Sequence, residues 1–275
     1  MQINSNYVSN QNIYSSANQS LNRIASGIEL NKSSDNASGL AVANNLLSQS
    51  NGYSQAIENT NSAIAATQIA SSATNEQSKI LDNVKEKLLQ ASTDTTSKEG
   101  RDAILKDIQS QLSQFDKIAS GTNYNGQTLL QNTKDDNSAS KSQQYQSGIK
   151  GADLIETSSV QSNTKGLGLS DLTTQDATTF NSSTARDFLE KVDKAINGLN
   201  DVKGEFGAVQ NQLQSSSRNL LSQETSTLKA NSMFDTNYAK ESANFSKQNV
   251  LAQIGAFTQA QGSNLNQQMV LKLLS

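Results

Sequence analysis

The most regular pattern of hydrophobic positions in this sequence runs from Phe188 to Phe234, where apolar and small residues recur at alternating intervals of four and three. This is a heptad spacing, which predicts one long α-helix packed in the manner of a coiled coil. At 1.5 Å per residue, the helix would be roughly 70 Å long. Ser216, Gln223 and Thr227 place polar side chains on the stripe and weaken its second half. The large apolar residues predicted to form its core-facing stripe are Phe188, Val192, Leu199, Val202, Phe206, Val209, Leu213 and Leu220.

Three further helices are predicted before this one. The first carries a stripe formed by Tyr14, Ala17, Leu21, Ile24 and Ile28. The second is expected from about residue 41 to residue 91, with small residues in the middle of its stripe that would let two backbones approach closely. A third follows a capping box at Thr96–Glu99 and carries apolar residues from Leu105 to Ala119.

Turn and cap residues separate the first two helices, between Asn31 and Gly39. The heptad helix itself is expected to begin at a second capping box, Thr184–Asp187. Between the first two helices we define a linker motif, formed by Ser34, Asp35, Asn36 and Gly39.

The middle of the chain has a different character. Asn125-Gly126 favours a tight turn that ends the helical half. Residues 131–183 are rich in Ser, Thr, Gly and Asp, and residues 141–148 and 153–160 are predicted to pair as a β-hairpin. From about residue 236 the pattern becomes helical again, with apolar positions at Phe245, Leu251, Ile254, Phe257, Leu265, Met269 and Leu273.

These elements predict a mainly α fold, in which long antiparallel helices form a coiled-coil-like bundle and a small β-hairpin region lies mid-chain. Two separate helical bundles would produce the same pattern as one bundle with the two halves side by side. The matching lengths of the two halves favour side-by-side packing. The stripes at both chain ends lie beyond breaks, so they would be exposed unless they met each other and further copies. The predicted assembly residues are Leu21, Ile24, Ile28, Leu251, Ile254, Phe257, Leu265, Met269 and Leu273.

Composition narrows the possible functions. The chain contains no proline, cysteine, histidine or tryptophan and has a net charge of −3. The missing cysteine and histidine remove disulfides, thiolate nucleophiles and the commonest general base, which argues against an enzyme and against a cofactor or metal site. No basic stripe indicates nucleic acid as a partner, and no apolar run approaches the ~20 residues of a membrane span.

The hydrophobic content of 34% is low for a chain that folds alone. Two interpretations follow, namely partial disorder or a fold completed by neighbouring subunits. The first twelve residues have neither a basic nor an apolar region of the secretory-signal type, so any export is expected to use another route.

Several segments together resemble bacterial flagellins. Residues 21–31 (LNRIASGIELN) and 34–43 (SDNASGLAVA) resemble the N-terminal signature of that family, and residues 120–130 resemble the turn that ends its second core helix. Further similarity covers residues 144–148, 166–170, 206–213, 235–241 and 269–274, in the family order. The sequence departs from the family pattern at Gln212, where arginine is usual, and at Ser232–Phe234.

The resemblance implies a minimal flagellin, because the central segment is too short for large outer domains. Residues 1–41 and 236–275 would form the two parts of an inner-tube domain, and residues 42–235 would form a helical core domain with its hairpin region at about 127–183. The implied function is that of a non-enzymatic structural subunit of the bacterial flagellar filament for swimming motility. It would be extracellular, exported through the flagellar type III channel without a cleaved signal peptide.

The implied partners are other copies of the chain, an export chaperone, and the filament cap and hook-junction proteins. The resemblance also implies weak recognition by the innate-immune receptor for flagellin, because Asn83 stands where strongly recognised members carry arginine. Two alternatives remain: a hook–filament junction protein, and a flagellin-like protein secreted to act on host cells.

Overall fold

The structure, a computed structural model, describes the backbone of residues 2–273 and the side chains of residues 11–258, 260 and 261. Helices dominate it, so the predicted mainly α fold is confirmed. The helices are α1 (Gln2–Ser26), α2 (Ser33–Ala91), α3 (Lys98–Gly121), α4 (Ser170–Thr173), α5 (Ser182–Asn231) and α6 (Tyr238–Leu273), and a 3-10 turn (Ser232–Phe234) precedes α6.

Two small antiparallel strand pairs lie between α3 and α4. In the first, β1 (Asn123–Tyr124) pairs with β2 (Gln127–Thr128) across the Asn125-Gly126 turn. In the second, β3 (Gln144–Gln146) pairs with β4 (Leu154–Glu156), with Tyr145 opposite Ile155. This second pair is the hairpin predicted from residues 141–148 and 153–160, with shorter strands than the pattern indicated.

The chain forms two compact units. We call residues 1–51 with 224–275 the terminal unit, and residues 52–223 the central unit. Each unit combines segments from both halves of the sequence, which is the side-by-side packing that the matching lengths favoured. The domain boundaries predicted at residues 41/42 and 235/236 remain a prediction.

The central unit is organised around α2, α3 and α5. The ion pair between Lys87 and Asp107, at 3.0 Å, and the hydrogen bond from Gln77 to the Phe115 carbonyl, at 3.2 Å, show that α2 and α3 are antiparallel. The ion pair between Lys85 and Asp193, at 2.6 Å, and the shared cluster of Ala63 and Val209 show the same for α2 and α5. A first apolar cluster fills the space between these helices and α4. Its large buried members include Leu81, Leu88, Ile104, Leu105, Ile108, Leu112, Phe115, Leu169, Leu172, Phe180, Phe188, Val192 and Leu199.

Small residues in the middle of α2 make room for side chains from the loop region and from α5. Ala66 and Ala70 lie in a second buried cluster with Leu130 and Phe206. Ala63 lies in a third cluster, whose other buried members are Ile155, Val209 and Leu213. The alanine stripe in α2 therefore receives large side chains rather than marking a weak part of the core.

Polar contacts hold the long loop region against the helices of the central unit. The fully buried Gln77 on α2 donates from Nε2 to the carbonyl oxygens of Phe115 (3.2 Å) and Ser162 (2.8 Å). The carboxylate of Asp116 accepts hydrogen bonds from the backbone N–H and the hydroxyl of Thr164, at 2.7 and 2.8 Å. Because these contacts join residues far apart in sequence, they fix the path of the loop across α3.

Three helix starts differ from the capping signals in the sequence. The N-cap of α3 is Ser97, whose hydroxyl accepts from the Gly100 N–H at 3.1 Å, and not the first residue of the predicted box. Asn181 caps α5, because its side-chain oxygen accepts from the Thr184 N–H at 2.9 Å. The segment α2 contains a kink at Asn36 (φ −164°, ψ 99°), which separates a short helical turn that begins at Ser33 from the long helix that follows, and Asn36 Oδ1 caps that long helix by accepting from the Gly39 N–H. In each case a nearby Ser or Asn side chain satisfies the first free backbone donors.

Candidate assembly surface on the terminal helices

Helices α1 and α6 pack against each other within the terminal unit. Backbone hydrogen bonds join their adjacent ends, from Thr236 N–H to the Gly27 carbonyl and from Glu29 N–H to the Phe234 carbonyl, both at 2.9 Å. Gly27 has φ +72°, and a Cβ there would lie 2.8 Å from the Tyr238 hydroxyl. A glycine at this position therefore lets the chain turn while Tyr238 approaches it closely.

The fully buried residues on α1 and α6 are small or polar, and Ile13, Ile24 and Phe245 are half-buried on the same helices. Ala17 and Ser20 are the buried residues on α1 among its described side chains, and Glu241 and Ala252 are those on α6. An alanine or serine removes much less apolar surface from water than a leucine or phenylalanine does. The pairing of the two helices therefore buries no large apolar side chain completely among the described residues, and its contribution to stability per residue is smaller than that of the central core. We call the face that carries Ala17, Ser20, Glu241 and Ala252 the inner seam.

One ion pair crosses the inner seam. Arg23 Nη1 lies 3.5 Å from Glu241 Oε1, with side-chain exposures of 26% for Arg23 and 7% for Glu241. The other carboxylate oxygen of Glu241 is buried and has no hydrogen-bond partner among the described residues. Two helices that meet through small residues can shift along each other at little cost in free energy, whereas a buried charge pair forms in only one register. The pair thus helps to fix the alignment of α1 with α6.

Large apolar side chains on these helices lie outside the inner seam. Phe257 is 69% exposed and Ile254 is 56% exposed. The other exposed ones on α1, on α6 and in the turn after α1 are Tyr14, Leu21, Ile28, Tyr238, Val250 and Leu251. We call these eight residues the outer apolar surface. Isolated exposed apolar residues are ordinary, but a concentration on two adjacent helices is characteristic of an interaction surface.

The predicted assembly residues fall into three groups. Leu21, Ile28, Leu251, Ile254 and Phe257 belong to the outer apolar surface. Ile24 is half-buried. Leu265, Met269 and Leu273 fall within α6, but their side chains lie outside the described residues.

The linker motif forms a tight turn at the start of α2. Asp35 Oδ2 accepts from the Lys32 N–H at 3.2 Å, and Asn36 Oδ1 accepts from the Gly39 N–H at 2.9 Å. A Cβ on Gly39 would lie 2.7 Å from Leu30 Cδ1, so this glycine allows the linker to fold closely over the helix. Ser34 is exposed.

The predicted heptad core lies in the central unit and takes no part in the outer apolar surface. Its members Phe188, Val192, Leu199, Phe206, Val209, Leu213 and Leu220 are buried. Val202 is half-buried and packs against the second cluster. Sequence reasoning missed other exposed apolar residues of the terminal unit, namely Val42, Leu47, Leu228 and Met233.

Other features of the described residues offer little for catalysis. No group of three or more acidic side chains that could hold a metal ion occurs in this part of the chain. None of the helices, over the residues described, is long and apolar enough to cross a membrane. An open depression of about 920 Å³ beside the β1–β2 hairpin is lined mostly by residues of polar type, including Asn132, Lys134, Lys141 and Tyr145.

The three described groups whose pKa is shifted lie between α3 and α5 in the central unit. Burial raises the pKa of Tyr145 above its usual value. Hydrogen bonds from Asn132 and Ser138 lower the pKa of Asp136, and hydrogen bonds from Thr178 lower that of Asp176. Both carboxylates act as turn-forming acceptors.

Comparisons with solved structures agree with this architecture. A crystal structure of Bacillus cereus flagellin superposes with a TM-score of 0.51 at 24% identity, covering 59% of this chain and 88% of that one. A Vibrio parahaemolyticus chain named as a flagellar hook-associated protein gives a TM-score of 0.60 at 10% identity, covering 73% and 99%. At these identities the likeness concerns the fold alone.

Sequence comparisons identify the family. Residues 1–135 match the bacterial flagellin N-terminal helical region, and residues 189–274 match the bacterial flagellin C-terminal helical region. Flagellin A of Helicobacter felis is 35% identical over 67% of this chain, which spans only 34% of that longer relative. The flagellin of Bacillus subtilis (strain 168) is 30% identical over 94% of this chain and 93% of its own length. With matches at both ends and one relative aligned over almost its whole length, the chain belongs to the bacterial flagellin family.

Proposed function

We propose that this chain is a structural subunit that polymerises into the bacterial flagellar filament for swimming motility. The observation that carries the proposal is the pairing of a weak inner seam with a strong outer apolar surface in one unit. Full burial of a Leu, Ile or Phe side chain is worth about 1.5–3 kcal/mol. Neighbouring copies would supply the burial that the two terminal helices do not obtain from each other.

The geometry of such contacts favours an open polymer. If the outer apolar surface of one copy meets a different surface of the next, the contact is heterologous and repeats without closing into a ring. A contact of this kind propagates as a helical filament. The function then depends on the stiffness and shape of the polymer, and the chain itself is not an enzyme.

The predicted domains and partners extend this proposal. Residues 1–41 and 236–275 would line the inner tube of the filament, and residues 42–235 would form its helical core layer. An export chaperone would cover the C-terminal helix before assembly, and cap and hook-junction proteins would contact the subunit at the two filament ends. Export would follow the flagellar type III route to the cell exterior.

A hook–filament junction protein is the second candidate. The fold likeness to the Vibrio parahaemolyticus chain favours it, since that likeness covers 73% of this chain. The two candidates differ in abundance and position. A filament subunit is present along the whole filament, whereas a junction protein is confined to one end.

Electron microscopy of surface filaments, with mass spectrometry of their main subunit and gold-labelled antibody against residues 131–183, tests the proposal. We expect the label along the full filament and this chain as the dominant mass. Label confined to the filament base would overturn the proposal in favour of the junction protein. Deleting the gene should abolish swimming in soft agar, and re-expression should restore it.

A further inference from the structure

Three Asn-Gly pairs occur in the chain, at Asn51-Gly52, Asn125-Gly126 and Asn197-Gly198. An asparagine followed by glycine is chemically reactive, because the glycine nitrogen can attack the side-chain amide carbon of the asparagine. Glycine has no Cβ to obstruct this approach and leaves the backbone free to rotate. Sequence alone therefore gives all three pairs a similar tendency to react.

The structure places these pairs in very different surroundings. Asn51-Gly52 lies within α2, and Asn197-Gly198 lies within α5. In a helix the glycine N–H donates to the carbonyl four residues earlier, and both backbones are held by the ladder on either side. Close packing restricts the two backbones further, since a Cβ on Gly52 would lie 2.9 Å from Ile149 and one on Gly198 would lie 3.4 Å from Leu167.

Asn125 and Gly126, in contrast, are the two loop residues between β1 and β2. Both have positive φ, +50° and +80°, and both are exposed. The Gly126 N–H donates to no partner within the part of the chain that the structure describes, and a Cβ on Gly126 would have open space around it. Only a short exposed turn must open for the backbone to rotate, and such local openings require the least free energy in a fold.

We propose that Asn125 is a site of spontaneous covalent modification in the folded protein, a deamidation through a cyclic imide with Gly126. The Gly126 nitrogen loses its proton and forms a bond to Asn125 Cγ. The Cγ–Nδ2 bond breaks, and Nδ2 leaves as ammonia with the proton. Water then opens the imide at one of its two carbonyls, which gives either aspartate or isoaspartate, with no change in oxidation state.

The modification changes the turn in two ways. Either product adds a negative charge to a chain whose formal net charge is already −3. Isoaspartate also lengthens the main chain by one methylene group within a two-residue loop, and loop length sets the register of a hairpin. The neighbouring hydrogen bond from Leu129 N–H to the Thr122 carbonyl, at 3.1 Å, joins the two arms of this hairpin. Leu129 and Leu130 are buried, so a change in register disturbs their packing.

The test compares the three pairs within one molecule. Folded full-length protein is aged at mildly alkaline pH, and the deamidated fraction of each Asn-Gly peptide is followed by mass spectrometry. We expect Asn125 to react at least about fivefold faster than Asn51 and Asn197 in the folded chain, because its turn opens most easily. In denaturant we expect the three rates to converge, since the structural difference is gone. Equal rates in the folded chain, or a slower rate at Asn125, would overturn the proposal.

Asn125→Gly is the matched control variant. Gly-Gly is also well suited to this turn type, so the hairpin is kept while the reactive amide is removed. Enzymatic methylation specific for isoaspartate should label the aged wild-type chain strongly and the aged variant weakly. Exchange of the Leu129 amide should become faster with age in the wild type alone. Equal isoaspartate labelling of the two aged proteins would contradict the assignment to Asn125.

Discussion

The two units of this molecule differ in the size of the residues that their helices bury. In the central unit, Leu88, Leu112, Phe115 and Leu199 are fully enclosed by neighbouring helices. In the terminal unit, α1 and α6 bury Ala17, Ser20, Glu241 and Ala252 and leave Leu251, Ile254 and Phe257 exposed. The central unit therefore has its own core, while the terminal unit leaves its largest described apolar side chains exposed, as the proposed assembly with other copies requires. Helix content alone does not distinguish these two states.

Removal of most of α6 should have the largest effect. A chain that ends after Asn244 loses Phe245, Val250 and nine large apolar residues from Leu251 onward. Those nine alone are worth on the order of 10 kcal/mol per subunit at half burial. Since association must first overcome a cost of about 4–15 kcal/mol, the truncated chain should not polymerise. All three apolar clusters lie outside the deletion, so circular dichroism should still report a folded helical core.

Filaments of normal length from the truncated chain, seen by electron microscopy after seeding, would show that the central unit carries assembly. A general loss of helicity would show instead that the central unit does not form a core independently of α6.

Paired substitutions should separate assembly from stability. Ile254→Ser with Phe257→Ser removes exposed apolar surface, so the free energy of unfolding of the monomer should hardly change. If assembly half-buries these two side chains, they contribute about 2 kcal/mol to the free energy of assembly. Their loss should raise the critical concentration approximately 30-fold. Light scattering over a concentration series measures this.

The matched control for this pair lies in the central core. Leu112→Ala should cost about 2–5 kcal/mol in urea unfolding of the monomer, because a fully buried leucine leaves a cavity. At temperatures where the variant stays folded, its critical concentration should remain near that of the wild type. If the Ser pair destabilised the monomer as much as Leu112→Ala does, the contrast between the two units would fail.

The ion pair across the inner seam provides a third test. Arg23→Met leaves Glu241 buried without its charged partner and should weaken the terminal unit by about 1–3 kcal/mol, a figure reduced for the partial exposure of Arg23. Faster amide exchange in α1 measures the loss. Adding Glu241→Met should recover most of it, because two apolar side chains can replace an ion pair. A double variant weaker than Arg23→Met would contradict this account of the seam.

The smallest expected effect comes from a substitution at Gly52, which tests how closely Ile149 packs against α2. Gly52→Ala gains helix propensity of about 1 kcal/mol, but its Cβ would lie 2.9 Å from Ile149 Cγ2. The two effects should nearly cancel in thermal unfolding. Gly207→Ala in α5 is the control, because a Cβ there meets nothing within 4 Å and should give the full gain. An equal gain at both positions would mean that Ile149 does not press on α2.

The sequence predicted the helices well because their apolar stripes are long and uninterrupted by proline. Asn125-Gly126 also located its turn, since few residue pairs accept positive φ at both positions. Helix starts were less predictable. Several Ser, Thr and Asn residues compete for each N-cap, and tertiary packing selects one of them, as at Ser97 and Asn181.

The buried face of α1 was harder to infer. The predicted stripe is divided in the structure, because Ala17 is buried on the inner seam and Ile24 is half-buried, while Tyr14, Leu21 and Ile28 are exposed. Hydrophobicity cannot distinguish a face that meets α6 from one that meets another molecule. Charge could have done so, because Arg23 is the only charged residue of α1 and Glu241 is the only acidic residue of α6.

The bridge between Ile28 and Asp235 has a consequence for the order of folding. These residues are separated by most of the chain, so closing that loop from an unfolded state would cost about 5 kcal/mol in chain entropy. Within the central unit, α2 and α5 are antiparallel, and Tyr53 and Gln223 line the same surface depression. Once the central unit has formed, the effective loop between the two chain ends becomes short. The terminal helices should therefore pair last, on a scaffold that is already folded, and the contacts nearest the two chain ends should be absent from the transition state.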